Sequence, residues 1–376
     1  MGTSRKIKLG ILSSSRADFG IYLPLLKAIQ RNSVDFHLSI IVFGTHLSTY
    51  HGYTKVEIEK QGFEIAYEIP SLLLTDDPQS ISTAYALTAM KFADFWATNQ
   101  TSFDWVICLG DRFEMAAAVA AGIPFGVRFA HIHGGETTLG AIDNIYRHSI
   151  TLASQLHFVA NKQFKSRIIE LTGHDAKCYV TGSLSLDNIE GMKFLSKKAF
   201  QENWGINIHK PYILVTVHPE TIAIERNKEF AREIIKALEQ LLKERQIIIT
   251  LPNADTVGSI YRNAFNHIKN NFPKQIHLIE NFGTQSYFTC IKYADFLIGN
   301  TSSGIIEAAS FHKYVINLGD RQLGRLASEN IIHVKFDHLQ ILSTVKTLNN
   351  KFYSGRNIYK IDKAAPIILE ALKINY

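Results

Sequence analysis

Short apolar runs separated by amphipathic stretches organise this chain from end to end. In the first half, KIKLGIL (6–12), FHLSIIVF (36–43), FEIAYEI (63–69), WVICLG (105–110), VRFAHIH (127–133), LHFVA (156–160) and CYVTG (178–182) predict strands. Helical patterns lie between most of them, for example IYLPLLKAIQ (21–30) and STAYALTAMKFADFWATN (82–99). The pattern breaks over the polar, lysine-rich residues 190–211, which end at Pro211. A second series then runs through YILVTVH (212–218), QIIITLP (246–252), IHLIENF (276–282), DFLIGN (295–300), YVINLG (314–319) and IIHVKF (331–336). Helical segments such as NKEFAREIIKALEQLLKERQ (227–246) fill its gaps.

Strands that read as nearly continuous apolar runs are buried on both faces, which predicts parallel sheets with helices on each side. The expected architecture is two Rossmann-like, doubly wound α/β domains, 1–188 and 189–376, with ligand in the cleft at the C-terminal ends of both sheets. A final helix, PIILEALKIN (366–375), fits on either domain.

The 376 residues suit two domains at roughly 100–200 residues each. Hydrophobic residues are 46% and charged residues 20%, enough for full cores and unlike a disordered chain. The net charge of +6 is scattered, with no run of five Lys/Arg. That argues against nucleic-acid and membrane partners and suits an anionic small substrate. Cys108, Cys178 and Cys290 are odd in number, widely spaced and set in or beside apolar runs. They read as core residues in a reduced compartment, not as a disulfide frame or zinc site. The start, MGTSRKIKLGIL, has too short an apolar run for a signal peptide, and no stretch reaches the ~18 residues of a membrane span. The expected location is the cytoplasm.

Candidate chemistry collects where predicted strands end. SSSRADFG (13–20) is a small-residue turn into a helix, suited to phosphate, with Arg16 as a fork; Arg16 and Asp18 as a solvated cap pair is the alternative. LGDRFE (109–114) places Asp111 as a carboxylate beyond a strand or as a helix N-cap. In HIHGGETTLGAIDNIYRHS (131–149), His131 and His133 alternate and are expected to share a face; a metal there needs further ligands, and none is expected. Glu136 follows two glycines, and Asp143 opens the next helix four residues before Arg147. With Asp111 they form an acidic trio able to divide acid and base roles, or else a cap and a helix pair. TVHPET (216–221) carries His218, either structural or set to neutralise a phosphate or donate a proton. GNTSSGIIEAA (299–309) offers Ser302, Ser303 and Gly304 at a helix start and Glu307 one turn on, where it suits ribose hydroxyls. GDRQLGR (319–325) places Arg321 and Arg325 at the rim or in surface ion pairs.

These segments, with LPNADTVGS (251–259), resemble the hydrolysing UDP-N-acetylglucosamine 2-epimerases of sialic and related nonulosonic acid biosynthesis, in order from about residue 7 to 335. The resemblance implies a fold like the B-type glycosyltransferases, UDP-sugar as substrate and no cofactor. It implies that Arg16, Ser302 and Ser303 hold the diphosphate, Glu307 the ribose, and His218 the phosphates with a share in catalysis. Asp111, Glu136 and Asp143 become the catalytic acids and bases. Asp18, Arg112, Asn253, Gly304 and Arg321 complete the substrate-binding set. Asn144 stands where many relatives carry a second acid.

The implied reaction converts UDP-N-acetylglucosamine and water to N-acetylmannosamine and UDP, by elimination to a 2-acetamidoglucal and hydration. The rival reading is the same reaction on a UDP-2,4-diacetamido-2,4,6-trideoxyhexose. A glycosyltransferase and a non-catalytic UDP-sugar sensor are further alternatives. A homodimer or higher homo-oligomer is expected from the resemblance, with no interface visible by pattern.

Overall fold

A computed structural model describes residues 5–252, 255–349 and 351–376. The first sheet contains β1 (Ile7–Ser13), β2 (Phe36–Phe43), β3 (Ile65–Ile69), β4 (Trp105–Leu109), β5 (Phe129–Ile132), β6 (Leu156–Val159) and β7 (Lys177–Val180). Its order is β3-β2-β1-β4-β5-β6-β7. The second contains β8 (Tyr212–Thr216), β9 (Gln246–Thr250), β10 (Ile276–Ile279), β11 (Leu297–Gly299), β12 (Val315–Leu318) and β13 (Ile331–Val334), in the order β10-β9-β8-β11-β12-β13. Pairing is parallel in both, so each is a doubly wound α/β sheet, as the apolar runs predict.

Alternation inside single strands shows why those runs are continuous. In β4, Trp105, Ile107 and Leu109 join one core, while Val106 and Cys108 join the core on the opposite face. In the second sheet, Ile213 and Val215 pack with Ile234, Leu238 and Phe265. Tyr212 faces the other way, and its hydroxyl donates to the Cys290 carbonyl at 2.5 Å. All three cysteines are free and buried. Among the described residues, no helix is long and apolar enough to cross a membrane.

The chain divides into two compact units. Unit 1 holds the described residues up to Glu136, then Asp143–Glu190 and Tyr359–Tyr376; unit 2 holds Thr137–Ile142 and Gly191–Ile358. Two pieces therefore depart from a single cut at 188/189. The last helix, Ala364–Ile374, belongs to unit 1, where Ile368 and Leu372 enter the core beside β1. Asp187 fixes its start by accepting the N–H groups of Ala364 (3.0 Å) and Ala365 (2.9 Å). The other piece, Thr137–Ile142, interrupts the segment that carries Glu136 and Asp143.

In each unit the strand order reverses once, between β1 and β4 and between β8 and β11. Loops leaving the C-terminal ends of strands at such a reversal diverge and leave room for a ligand. The loops leaving β1 and β4 hold SSSRAD and GDR; those leaving β8 and β11 hold VHPET and NTSSG.

Asp187→Ala leaves two N-terminal N–H groups of the last helix without their cap. Loss of a cap costs about 0.5–2 kcal/mol, so the first calorimetric transition should fall by roughly 2–6 °C. An unchanged transition would contradict the anchoring assigned to Asp187.

Candidate functional site

In unit 1 the loop after β1 is built by its own side chains. Ser15 caps the helix Arg16–Arg31 in a reciprocal capping box with Asp18. The Asp18 Oδ2 accepts from Ser14 N (2.8 Å), Ser14 Oγ (2.8 Å) and Ser15 N (3.1 Å). Asp18 is a buried cap, not the solvated one of the sequence reading, and burial raises its pKa against the charge of Arg112 and those hydrogen bonds. The structure thus gives Asp18 a place inside the loop, while Arg16 is half-buried at the first helical position.

Arg112 is likewise engaged. It grips Glu114 with two hydrogen bonds, Nε to Oε2 at 3.2 Å and Nη2 to Oε1 at 2.9 Å. Glu114 is fully buried, which raises its pKa, and the Arg112 charge works against that rise. The guanidinium is the counter-ion for buried acids in the first turns of two helices, Arg16–Arg31 and Phe113–Gly122.

Around the acidic trio, the central group is one that the sequence reading treated only as a helix partner of Asp143. Arg147 is buried to 1% exposure. Its Nη2 donates to the Asp111 Oδ2, and its Nη1 donates to the Glu136 carbonyl (3.0 Å) and to Asn144 Oδ1 (3.4 Å). One guanidinium therefore holds the loop after β4, the HGGE turn and the start of the helix Asp143–Ala153. Asp143 lies half-buried on that helix near Tyr146, whose pKa is raised by burial, then by Tyr85 and by the Asp143 charge.

His131 and His133 do not act as one face, because β5 ends at Ile132 and His133 turns into the left-handed region with φ +66°. His131 is buried, which presses its pKa down to about 3, so it is neutral. A carbonyl only accepts, so His131 Nε2 carries the proton and donates to Gly110 O (2.8 Å), leaving Nδ1 to accept from Thr151 (3.2 Å). His133 instead pairs through Nδ1 with the fully buried Glu136, at 3.0 Å to Oε1. Gly135 makes the turn: its φ is +75°, and a Cβ there would lie 2.4 Å from the Phe164 carbonyl oxygen.

In unit 2, Asn300 is the junction. Its side chain accepts from His218 N (2.7 Å) and donates to His218 O (2.9 Å). Its carbonyl accepts from Arg321 Nη1 (3.2 Å) and Gln322 Nε2 (2.8 Å). The His218 Nδ1 meets Asp255 Oδ2 at 2.9 Å, a partner that the sequence reading did not name. The buried Glu220 accepts from Asp320 N at 2.6 Å, tying VHPET to GDRQ. Ser302 and Ser303 open the short helix Ser302–Ile306, which continues through Glu307 into the turn Ala308–Phe311. Gly304 packs against Val315, and Glu307 is buried within electrostatic reach of the Tyr287 phenol. Asn253 lies outside the described residues.

The segment Thr137–Ile142 lies on this same framework. Leu139 N donates to Leu323 O (2.9 Å), and Ile142 N donates to Thr221 Oγ1 (2.8 Å). A Cβ on Gly140 would stand 2.2 Å from the Asp320 carbonyl oxygen, so only glycine fits.

A family model described as UDP-N-acetylglucosamine 2-epimerase matches residues 27–373. Among similar proteins, the GDP/UDP-N,N'-diacetylbacillosamine 2-epimerase (hydrolyzing) of Campylobacter jejuni is 36% identical over 334 residues, 89% of this chain and 86% of that protein. The UDP-N,N'-diacetylbacillosamine 2-epimerase (hydrolyzing) of Legionella pneumophila is 32% identical over 344 residues, 92% of this chain and 89% of that protein. A crystal structure of UDP-GlcNAc 2-epimerase from Neisseria meningitidis bound to UDP-GlcNAc shares the fold, with a TM-score of 0.80, 18% identity, and coverage of 98% of this chain and 100% of that one.

Gly140→Ala should release the segment from the 319–325 loop. Overpacking costs typically 1–3 kcal/mol, so the amides of Leu139 and Ile142 should exchange ~5- to 150-fold faster in hydrogen-exchange mass spectrometry or NMR. Unaltered exchange at both amides would show that the close approach does not hold the segment.

Proposed function

The chain belongs to the UDP-N-acetylglucosamine 2-epimerase family, and on that premise we propose that it is a hydrolysing 2-epimerase whose sugar is N,N'-diacetylbacillosamine carried on UDP. The observation that supports the chemistry is the gathering of Asp111, the Glu136 turn and the helix of Asp143 around the single guanidinium of Arg147. The sugar preference rests on the two hydrolyzing relatives above 30% identity, both named for diacetylbacillosamine.

The roles follow from charge and position. Hydrogen on C2 of such a sugar is not acidic while C1 keeps its leaving group. The C1–O bond breaks first, its electron pair leaving with UDP. Arg16, His218, Ser302 and Ser303 are the groups assigned to neutralise the diphosphate, and Glu307 the one assigned to accept the ribose hydroxyls. Carboxylates beside C1 stabilise the oxocarbenium-like state. One of Asp111, Glu136 and Asp143 takes the C2 proton, and the C1–C2 double bond of the 2-acetamidoglucal forms. Water then adds its oxygen to C1, and a second acid protonates C2 from the opposite face. Asp255 orients the His218 ring through Nδ1. In this scheme Asp18 and Arg112 shape the phosphate and acid loops, and Arg321 steadies Asn300, a neighbour of the serines.

N-acetylglucosamine is the second reading, favoured by the description of the matched family model. The two sugars differ at C4 and C6, so the test is UDP release from each UDP-sugar under identical conditions. The diacetamido substrate should give at least ~10-fold higher kcat/KM, which corresponds to about 1.4 kcal/mol of differential transition-state binding. A preference for UDP-N-acetylglucosamine would reverse the assignment.

Asp111→Asn, Glu136→Gln and Asp143→Asn should each lower kcat by ~10²-fold or more, the scale of a positioned acid or base, while UDP affinity stays near wild type. Glu307→Ala should do the converse and weaken UDP by about 1–3 kcal/mol in calorimetry. Normal turnover by Glu136→Gln would remove the HGGE block from the chemistry, and unchanged UDP affinity in Glu307→Ala would remove Glu307 from the nucleotide site.

A further inference from the structure

Glu220 is a buried acid whose bonding partners are backbone groups, not cations. Its side chain is 4% exposed. Oε1 accepts from Asp320 N at 2.6 Å, and the Arg321 N–H also bonds the carboxylate. Arg226 acts on it through charge alone, with its guanidinium over the Phe230 ring at 4.7 Å. The fit is close: a Cβ on Gly319 would stand 2.1 Å from the same Oε1 and 2.6 Å from the Phe336 ring. Glu220 is itself fixed by the fully buried Asn227. Asn227 Oδ1 accepts from Glu220 N (3.0 Å) and from the Tyr261 hydroxyl (3.1 Å), and Nδ2 donates to Glu220 O (3.0 Å).

A buried carboxylate without an ion pair is a costly way to fill a core. Burial raises its pKa most, the Asp320 charge adds to the rise, and the two N–H groups and Arg226 oppose it. What the carboxylate gains is a grip on two successive N–H groups at the start of GDRQLGR. From that backbone the Arg321 Nη1 donates to the Asn300 carbonyl (3.2 Å). Asn300 holds both backbone groups of His218 and stands two residues before Ser302. The grip of Glu220 therefore sets where Arg321 meets the junction of VHPET and NTSSG.

We propose that Glu220 is a positioning residue for the nucleotide: its carboxylate fixes the backbone at Asp320 and Arg321, so that the Arg321 guanidinium stands at the Asn300 carbonyl, next to the serines assigned to the diphosphate. The inference rests on the reading that places Arg321, Ser302 and Ser303 at UDP, and adds the group that holds Arg321 there. Glu220 acts on UDP binding and takes no part in the proton transfers at C2.

The test is UDP affinity by calorimetry in the full-length protein, with Glu220→Gln, Arg321→Ala and the double variant. Gln keeps one accepting oxygen but presents an amide donor in place of the other, so half of the grip is lost. Glu220→Gln should weaken UDP by ~10-fold and raise KM for the UDP-sugar by about the same factor, with kcat within ~3-fold of wild type, the pattern of lost uniform binding. Arg321→Ala should weaken UDP by a similar ~10-fold. The double variant should match Arg321→Ala within ~2-fold, because the carboxylate acts through that guanidinium. Wild-type UDP affinity in Glu220→Gln, beside a weakened Arg321→Ala, would overturn the proposal and leave Arg321 at the nucleotide. Additive losses in the double variant would overturn the route through Arg321. Wild-type affinity in Arg321→Ala would instead overturn the reading on which the inference rests. Should Glu220→Gln not fold, Gly319→Ala decides, since its Cβ displaces the Glu220 carboxylate without removing it: UDP should bind ~10-fold more weakly there, and unchanged affinity overturns the proposal.

Discussion

A guanidinium buried to 1% exposure is the constraint on which the chemistry of unit 1 depends. An uncompensated buried charge costs several kcal/mol, so Arg147 must find acceptors inside the fold. It finds the Asp111 carboxylate, the Glu136 carbonyl and the Asn144 amide, which belong to three successive pieces of chain. The same bonds that neutralise the charge fix where two carboxyl-bearing loops and one helix meet. Removing Arg147 would therefore leave Asp111 without its counter-ion and the HGGE turn without its tether. The neutral His131 works alongside it, holding Gly110 from behind.

Unit 2 solves the matching problem with a neutral group. Asn300 has one carbonyl and one amide to offer from its side chain, and it uses both on the backbone of His218. Its own carbonyl takes Arg321 and Gln322. The loops after β8, β11 and β12 are thus joined through one uncharged residue. Gly140 permits the 137–142 segment to lie against the third of these loops. That segment runs between Glu136 and Asp143 along the chain.

The strands were legible because parallel strands buried on both faces leave uninterrupted apolar runs, and all thirteen expected runs contain strands. The motif loops were legible because small residues and charges stand out at the ends of such runs. What stayed hidden depends on partners distant in sequence. The docking of the last helix is decided by Asp187, 177 positions before Ala364. Arg147 reads locally as an i,i+4 partner of Asp143, and only the fold shows its reach to Asp111. Asp255 has no periodicity to mark it as the partner of His218. Asp18 reads as part of a solvated cap pair, yet it is buried inside its own loop; Arg112, placed at the substrate by the resemblance, grips Glu114. The alternation of His131 and His133 misleads for a local reason: the strand ends between them.

The central claim is that carboxylates on unit 1 exchange the hydrogen at C2 while UDP departs. Turnover of the UDP-sugar in D₂O, followed by NMR and mass spectrometry of the products, tests it in one experiment. The account requires free UDP, a sugar inverted at C2, and one solvent deuterium on that carbon. Release of UDP with C2 configuration and protium both retained would mark simple glycosyl hydrolysis and contradict it.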